Sequence, residues 1–155
     1  MLAAQTAVMM IDTPEEEPVA ADRAIAALHI RTVDALAGYV KMVEKAEADF
    51  RSVADQFRAL HALHAGRLER MLAAHGQTAD VDGSFMATVN KTVIALRAFF
   101  DEIDADVMNS VRNGENHVLA AFDLALETAQ PSDQVQLREM RDELTDLLRK
   151  TSHLN

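Results

Sequence analysis

Three residues of this 155-residue sequence have types and positions that could support chemistry: His61 and His64, three positions apart, and Glu115. Two imidazoles at that spacing share one face of a helix, as ligands of a common cation would need. The histidines interrupt an apolar stripe of Phe50, Ala54, Phe57, Leu68 and Met71. The glutamate interrupts another, made of Met108, Val111, Val118, Phe122 and Ala125. A carboxylate on such a stripe must be paired, solvated or bound to a cation, because burying it bare is costly. The expected arrangement is a buried polar cluster in which His64 and Glu115 pair across the core, with His61 at the rim. Such a pair fixes helix register more than it adds stability. The alternative is a single divalent metal (iron, manganese or zinc) held by His61, His64 and Glu115. Gly114 would let another helix approach closely at that level.

The remaining titratable residues are assigned smaller parts. His29 and Tyr39 are expected to join the same polar set, and His75 to act as a partner of a helix C-terminal dipole. His117 lies about 100° round the helix from Val118 and is expected to be exposed. His153 falls in the tail. Ser84, Ser110 and Ser132 sit at caps or exposed faces without a His–Asp arrangement to activate them. There is no Gly-rich phosphate loop, no Gly-x-Ser-x-Gly, no His-Glu-x-x-His and no dinucleotide fingerprint. With no Cys, thiolate chemistry and Cys-based zinc sites drop out. The expectation is a protein that is not an enzyme and carries no cofactor.

Charge narrows the partners. Fifteen Lys and Arg (15) against 25 Asp and Glu leave a net charge of −10. A field of that sign repels phosphate backbones and anionic membranes, so neither nucleic acid nor membrane is expected as a partner. A sole tyrosine and no Trp also leave little for stacking bases. No apolar stretch approaches the ~18 residues of a membrane span. Met1 to Ile11 is apolar but lacks Lys and Arg, and Asp12 and Glu15-Glu16-Glu17 follow it instead of a cleavage site. The expected location is the cytoplasm. Residues 1–17 are read as an arm that frays or packs on a neighbour, possible unknown protein included, and 18–155 as a single helical domain.

Hydrophobic periodicity supplies the elements that must position the cluster. The first helix should run from Pro18, which has no amide to give to a turn already begun, to about Glu47. Its stripe is Ile25, Leu28, Leu36, Tyr39, Val43 and Ala46. A turn over 46–50 lets Asp49 cap a second helix from Phe50 to His75, and Gly76 suits a left-handed C-terminal residue. Residues 77–83 read as a loop, Ser84 as the cap of a helix over 85–102, and 101–106 as an acidic break. A further helix spans about Asp104 to Thr128, and Pro131-Ser132-Asp133 caps a last one that runs to Lys150. The last helix turns Leu137, Met140, Leu144 and Leu147 inward and leaves Glu139, Asp142, Glu143 and Asp146 off that seam. Met71, Met86, Met108 and Met140 fall on apolar stripes, where they fill gaps. Five helices without a strand pattern make the chain all-α: a four-helix bundle with an additional helix in the crossover between bundle helices two and three, the alternative being a simple up-and-down bundle without a crossover. That additional helix is apolar on too wide a face for one bundle to cover, so a homo-oligomer, a dimer, is expected.

Four stretches carry a resemblance: Asp34-Ala35-Leu36-Ala37-Gly38-Tyr39, Leu60-His61-Ala62-Leu63-His64, Asp82-Gly83-Ser84-Phe85 and Arg112-Asn113-Gly114-Glu115-Asn116-His117. In that order they resemble a bacterial ferritin-like family catalogued only as a domain of unknown function, over roughly Leu28 to Leu148. The resemblance implies a ferritin-like bundle with a crossover helix and no established activity. The wider ferritin-like group binds two irons, with a Glu from each of two helices and a Glu-x-x-His from each of the others. Glu115 and His64 fall at matching places. Ala37, Gly38 and Val40 stand where the first helix's carboxylate is expected, Leu144 stands near the missing last-helix histidine, and no Asp or Glu has His three positions later.

Overall fold

The computed structural model describes residues 16–77 and 107–154, with side chains from Ala20 onward. The helix expected over 85–102, its Ser84 cap, the acidic break and most of the arm lie outside the described residues. Four helices, α1 (Glu16–Lys45), α2 (Ala48–Ala74), α3 (Val107–Thr128) and α4 (Pro131–Lys150), account for nearly all of the rest. No strand occurs among the described residues, and no helix there is long and apolar enough to cross a membrane.

The helix ends follow local chemistry, with three departures from expectation. α1 begins at Glu16, two residues before Pro18. Pro18 is then third in the helix, and its missing N–H falls among the first four amides, which have no intrahelical partner anyway. α2 is entered through Glu47, in extended conformation (φ −67°, ψ 161°), and not through Asp49, which sits in the first turn. There its charge still faces the positive end of the dipole. α4 is entered through extended Gln130 with Pro131 at the first helical position, so Ser132 is not its cap. The Gln134 side chain instead ties the connection by donating to the Ala129 carbonyl at 3.1 Å. At the end of α2 the expected left-handed glycine is in place. Gly76 has φ 74°, its N–H reaches Ala73 O at 3.0 Å, and Gln77 N–H reaches Leu72 O at 2.9 Å. These two bonds are the closure that only a residue free of a Cβ adopts without strain.

All four helices feed one core. Ile25 and Leu28 from α1, Phe57 and Leu68 from α2, Val118 and Phe122 from α3, and Leu137 and Leu144 from α4 are buried in a single cluster. Leu36, Val43, Phe50 and Leu147, also assigned inward, are half-buried. Each core-facing side chain removes apolar area from water at roughly 25 cal/mol per Å². α1 packs against both α2 and α3, and α4 against α3 and, more thinly, α2.

Polar contacts fix the helix directions. His75, at the end of α2, touches Asp22 near the start of α1 and Asp133 near the start of α4. Arg112, near the start of α3, donates to the Ser152 and Leu154 carbonyls just past the end of α4. α2 and α3 therefore run in the same direction, and residues 77 and 107 lie at opposite poles.

Gly114 does not mark a close helix approach. It is exposed on α3, and a Cβ added there would meet nothing within 4 Å. Gly114→Ala is therefore expected to raise stability by about 0.5–1 kcal/mol, through helix propensity alone. Urea unfolding would read this as a higher midpoint, and a lower one would show that the position is crowded.

Candidate functional site

The polar residues singled out by spacing do enter the core. His61 and His64 are fully buried on α2, Glu115 is 1% exposed on α3, and Tyr39 on α1 is 5% exposed. Their pairing is the reverse of the expected one. His61 Nε2 lies 2.8 Å from Glu115 Oε1, and Tyr39 Oη donates to the same oxygen at 2.5 Å. His61 is thus central, not at the rim, and the expected His64–Glu115 pair does not form. Three further residues of helix carry His64 about 4.5 Å along the axis. That displacement takes it past the level of Glu115 and toward α4, where Nε2 lies 3.5 Å from Glu143 Oε2 without hydrogen-bond alignment.

Ring packing holds the group in place. The Tyr39 ring stacks against Phe57 (centroids 5.2 Å, 11° between planes) and against His61 (5.5 Å, 12°). His64 meets His61 edge-on at 6.5 Å and Phe122 edge-on at 6.0 Å. Stacked and edge-to-face rings at these separations add to what area burial alone supplies.

Burial decides the protonation of two members. The Tyr39 hydroxyl is pushed well above its ordinary value, first by burial, then by the charge and hydrogen bond of Glu115. It therefore stays a donor. Burial pulls His64 down to about 4, against the charge of Glu143 and with help from His61 and Arg67. His64 is thus neutral at pH 7, yet neither of its ring nitrogens has a hydrogen-bond partner. His61 Nδ1 and Glu115 Oε2 are buried and unpartnered as well. Each such atom carries an uncompensated desolvation cost of about 1–3 kcal/mol.

Two contributions were not visible in sequence. Glu143, off the apolar seam of α4, sits half-buried at the edge facing α2, where Arg67 Nη1 holds it at 2.9 Å and Arg67 Nη2 holds Glu139 at 2.8 Å. The one available signal was Glu139 and Glu143, one turn apart on α4 and both of a sign to meet an arginine. His75, expected only as a dipole partner at the end of α2, also bridges helices. Its Nδ1 lies 2.6 Å from Asp22 Oδ1 and its Nε2 lies 2.8 Å from Asp133 Oδ2. The hydrogen bond to Asp22 raises its pKa against the opposing effect of burial, and the charge of Asp133 adds to the rise. His29 does not join the central cluster but pairs with Glu69 at 3.1 Å. His117 and His153 are exposed, as spacing implied.

Among the described residues no three His, Asp or Glu side chains come together as a metal site would need. His61 and Glu115 meet, while His64 turns to Glu143. A model of the family described as Domain of unknown function (DUF2383) matches residues 21–128. No curated protein and no solved structure matches the chain.

Proposed function

The chain belongs to the family described as Domain of unknown function (DUF2383), and on that footing we propose a ferritin-like four-helix bundle that works without catalysis, as a self-associating cytoplasmic protein. The observation that carries this reading is the use made of Glu115. Its Oε1 is taken by two protein donors, Tyr39 and His61. In a paired-iron bundle that carboxylate would face carboxylates and histidines from all four helices. Here α1 presents Tyr39 at that level, and the buried seam of α4 presents Leu137, Met140 and Leu144. The parallel run of α2 and α3, with residues 77 and 107 at opposite poles, supports the one-crossover topology and leaves room for a helix over 85–102. Self-association draws support from the wide apolar stripe of that segment. It also draws support from Ile30, Leu63, Leu124 and Val135, each more than half exposed.

A second reading, a single divalent metal held by His61, His64 and Glu115, is favoured by one observation. These three side chains carry four buried polar atoms without partners, and nitrogen and carboxylate oxygen suit iron, manganese or zinc. One preparation, made without chelator, separates the two readings. The first expects far less than one metal per chain by elemental analysis and a mass by light scattering above that of a 17.0 kDa monomer. Stoichiometric metal that is lost in His64→Ala and Glu115→Ala would replace the first reading with the second. A monomer at micromolar concentration would remove self-association.

A further inference from the structure

The seam between α1 and α3 opens into a groove of about 270 Å³. Ala35, Met42, Val111 and Val118 give it apolar walls, and Gly38 and Gly114, without side chains, widen it. Small apolar residues continue the seam toward the pole where α1 begins. Ala24 lies seven residues before Arg31 and Ala121 seven after Gly114, two turns along the same helix faces, and both are half-buried against the core. Ile30 and Leu124 each lie nine residues from the contact of Tyr39 with Glu115, so on these antiparallel helices they share one level. Each is more than half exposed.

We propose that this seam seats the chain's own N-terminal arm, residues 2–11 turned back along α1 in extended form. Composition suits the arm to an apolar trough: Met1 to Ile11 contains no charged side chain and only two polar residues, Gln5 and Thr6. Left in water, such a run would be an exposed apolar patch. Thr13-Pro14 supplies the reversal, because Pro presets φ for the second position of a turn. The reach fits as well. On α1 the groove extends from Arg31 to Met42, about 23 to 39 Å along the axis from Glu16. Extended chain covers those distances in about 7 to 12 residues. A strand leaving Pro14 therefore brings residues 2–7 into the groove and lays Val8 to Ile11 beside Ala24, Ile30 and Leu124. The segment over 85–102 is the poorer occupant. Read as a helix, it is about 10–12 Å across, too wide to enter so small a groove, and it carries Lys91, Arg97 and Asp101.

Cysteine pairs test this in the full chain, which has no Cys of its own. Ala4→Cys is combined either with Gly114→Cys, at the groove, or with Leu63→Cys. Leu63 is 52% exposed on α2, six residues before Glu69, which pairs with His29, so it stands level with the groove but outside it. In dilute protein the Gly114 pair should close within one chain at least about tenfold faster than the Leu63 pair, because docking raises the local concentration of the arm at one place only. In the parent sequence, Gly114→Leu fills the groove and should speed removal of residues 1–11 by thermolysin by about tenfold, as the undocked fraction rises, with far-UV circular dichroism unchanged. Equal closure of the two pairs, or arm cleavage unaffected by Gly114→Leu, would overturn the assignment. A Gly114 disulfide that joins two chains would overturn it too, and would give the groove to the arm of a second copy.

Discussion

His61→Leu is expected to lower the stability of the protein by about 3 kcal/mol or more, the range for removing one partner of a buried polar pair. Leucine fills much of the imidazole's space, so lost volume accounts for little of this. The cost arises at Glu115, which is 1% exposed and would keep Tyr39 as its one hydrogen-bond partner among the described residues. Against a total stability of about 5–15 kcal/mol for a domain of this kind, such a change moves a urea midpoint by a large fraction. The matching double variant, His61→Leu with Glu115→Met, made on a Tyr39→Phe background so that no buried hydroxyl loses its acceptor, removes the polar groups together and should recover most of the loss, because a buried pair replaced by apolar residues of similar volume is close to neutral. The interaction energy from the double-mutant cycle should exceed about 1.5 kcal/mol. Additive single and double changes would show that His61 and Glu115 are merely neighbours, and the central role given to their contact would fall.

The inversion of that pairing shows where sequence stops being informative. Periodicity places Val111, Glu115, Val118 and Phe122 on one face of a helix, and all four are buried as that face requires. The same holds for Phe57, His61, His64 and Leu68. Helix faces were legible because the repeat near 3.6 residues is written in the chain itself. Axial level was not. Whether Glu115 meets His61 or His64 depends on how far α3 is shifted along α2, and the two helices are separated by residues 75–106 with no local signal for that shift. A displacement of one helical turn exchanges the partners. Glu143 escaped notice for a related reason. It lies off the apolar stripe, at an edge that is neither core nor solvent, and its contact with α2 could not be read from either helix alone. Helix boundaries failed more narrowly. Asp49 and Ser132 are good capping residues by type, but extended Glu47 and Gln130 take those places without making a side-chain cap bond, and Pro131 at the first position of α4 suffices to start it.

Stability should peak near neutral pH and fall on both sides, because two histidines are displaced in opposite directions. His64 is the larger effect. In the unfolded chain it titrates near its ordinary value of about 6.5, but burial holds it at about 4 in the folded protein. Between those values the unfolded chain binds a proton that the folded one refuses, so stability falls as pH drops from about 6.5 toward about 4. The full gap corresponds to about 3 kcal/mol. The charged and titratable neighbours that enter are Glu143, which favours the protonated form, and His61 and Arg67, which oppose it. His75 acts with the other sign. Its pKa is raised by Asp22 and Asp133, so its contribution is complete below the ordinary histidine range and is lost as pH rises through the raised value. With 19% of its side chain exposed, the alkaline limb should be shallower than the acid one. Urea midpoints measured between about pH 4.5 and 9 resolve both limbs. His64→Leu removes two unpartnered nitrogens, so it should be neutral or stabilising at pH 7 and should flatten the acid limb. His75→Gln should flatten the alkaline limb and leave the acid one intact. An acid limb unchanged in His64→Leu would mean that carboxylates, not this imidazole, set the low-pH behaviour, and the neutral, buried state assigned to His64 would no longer stand.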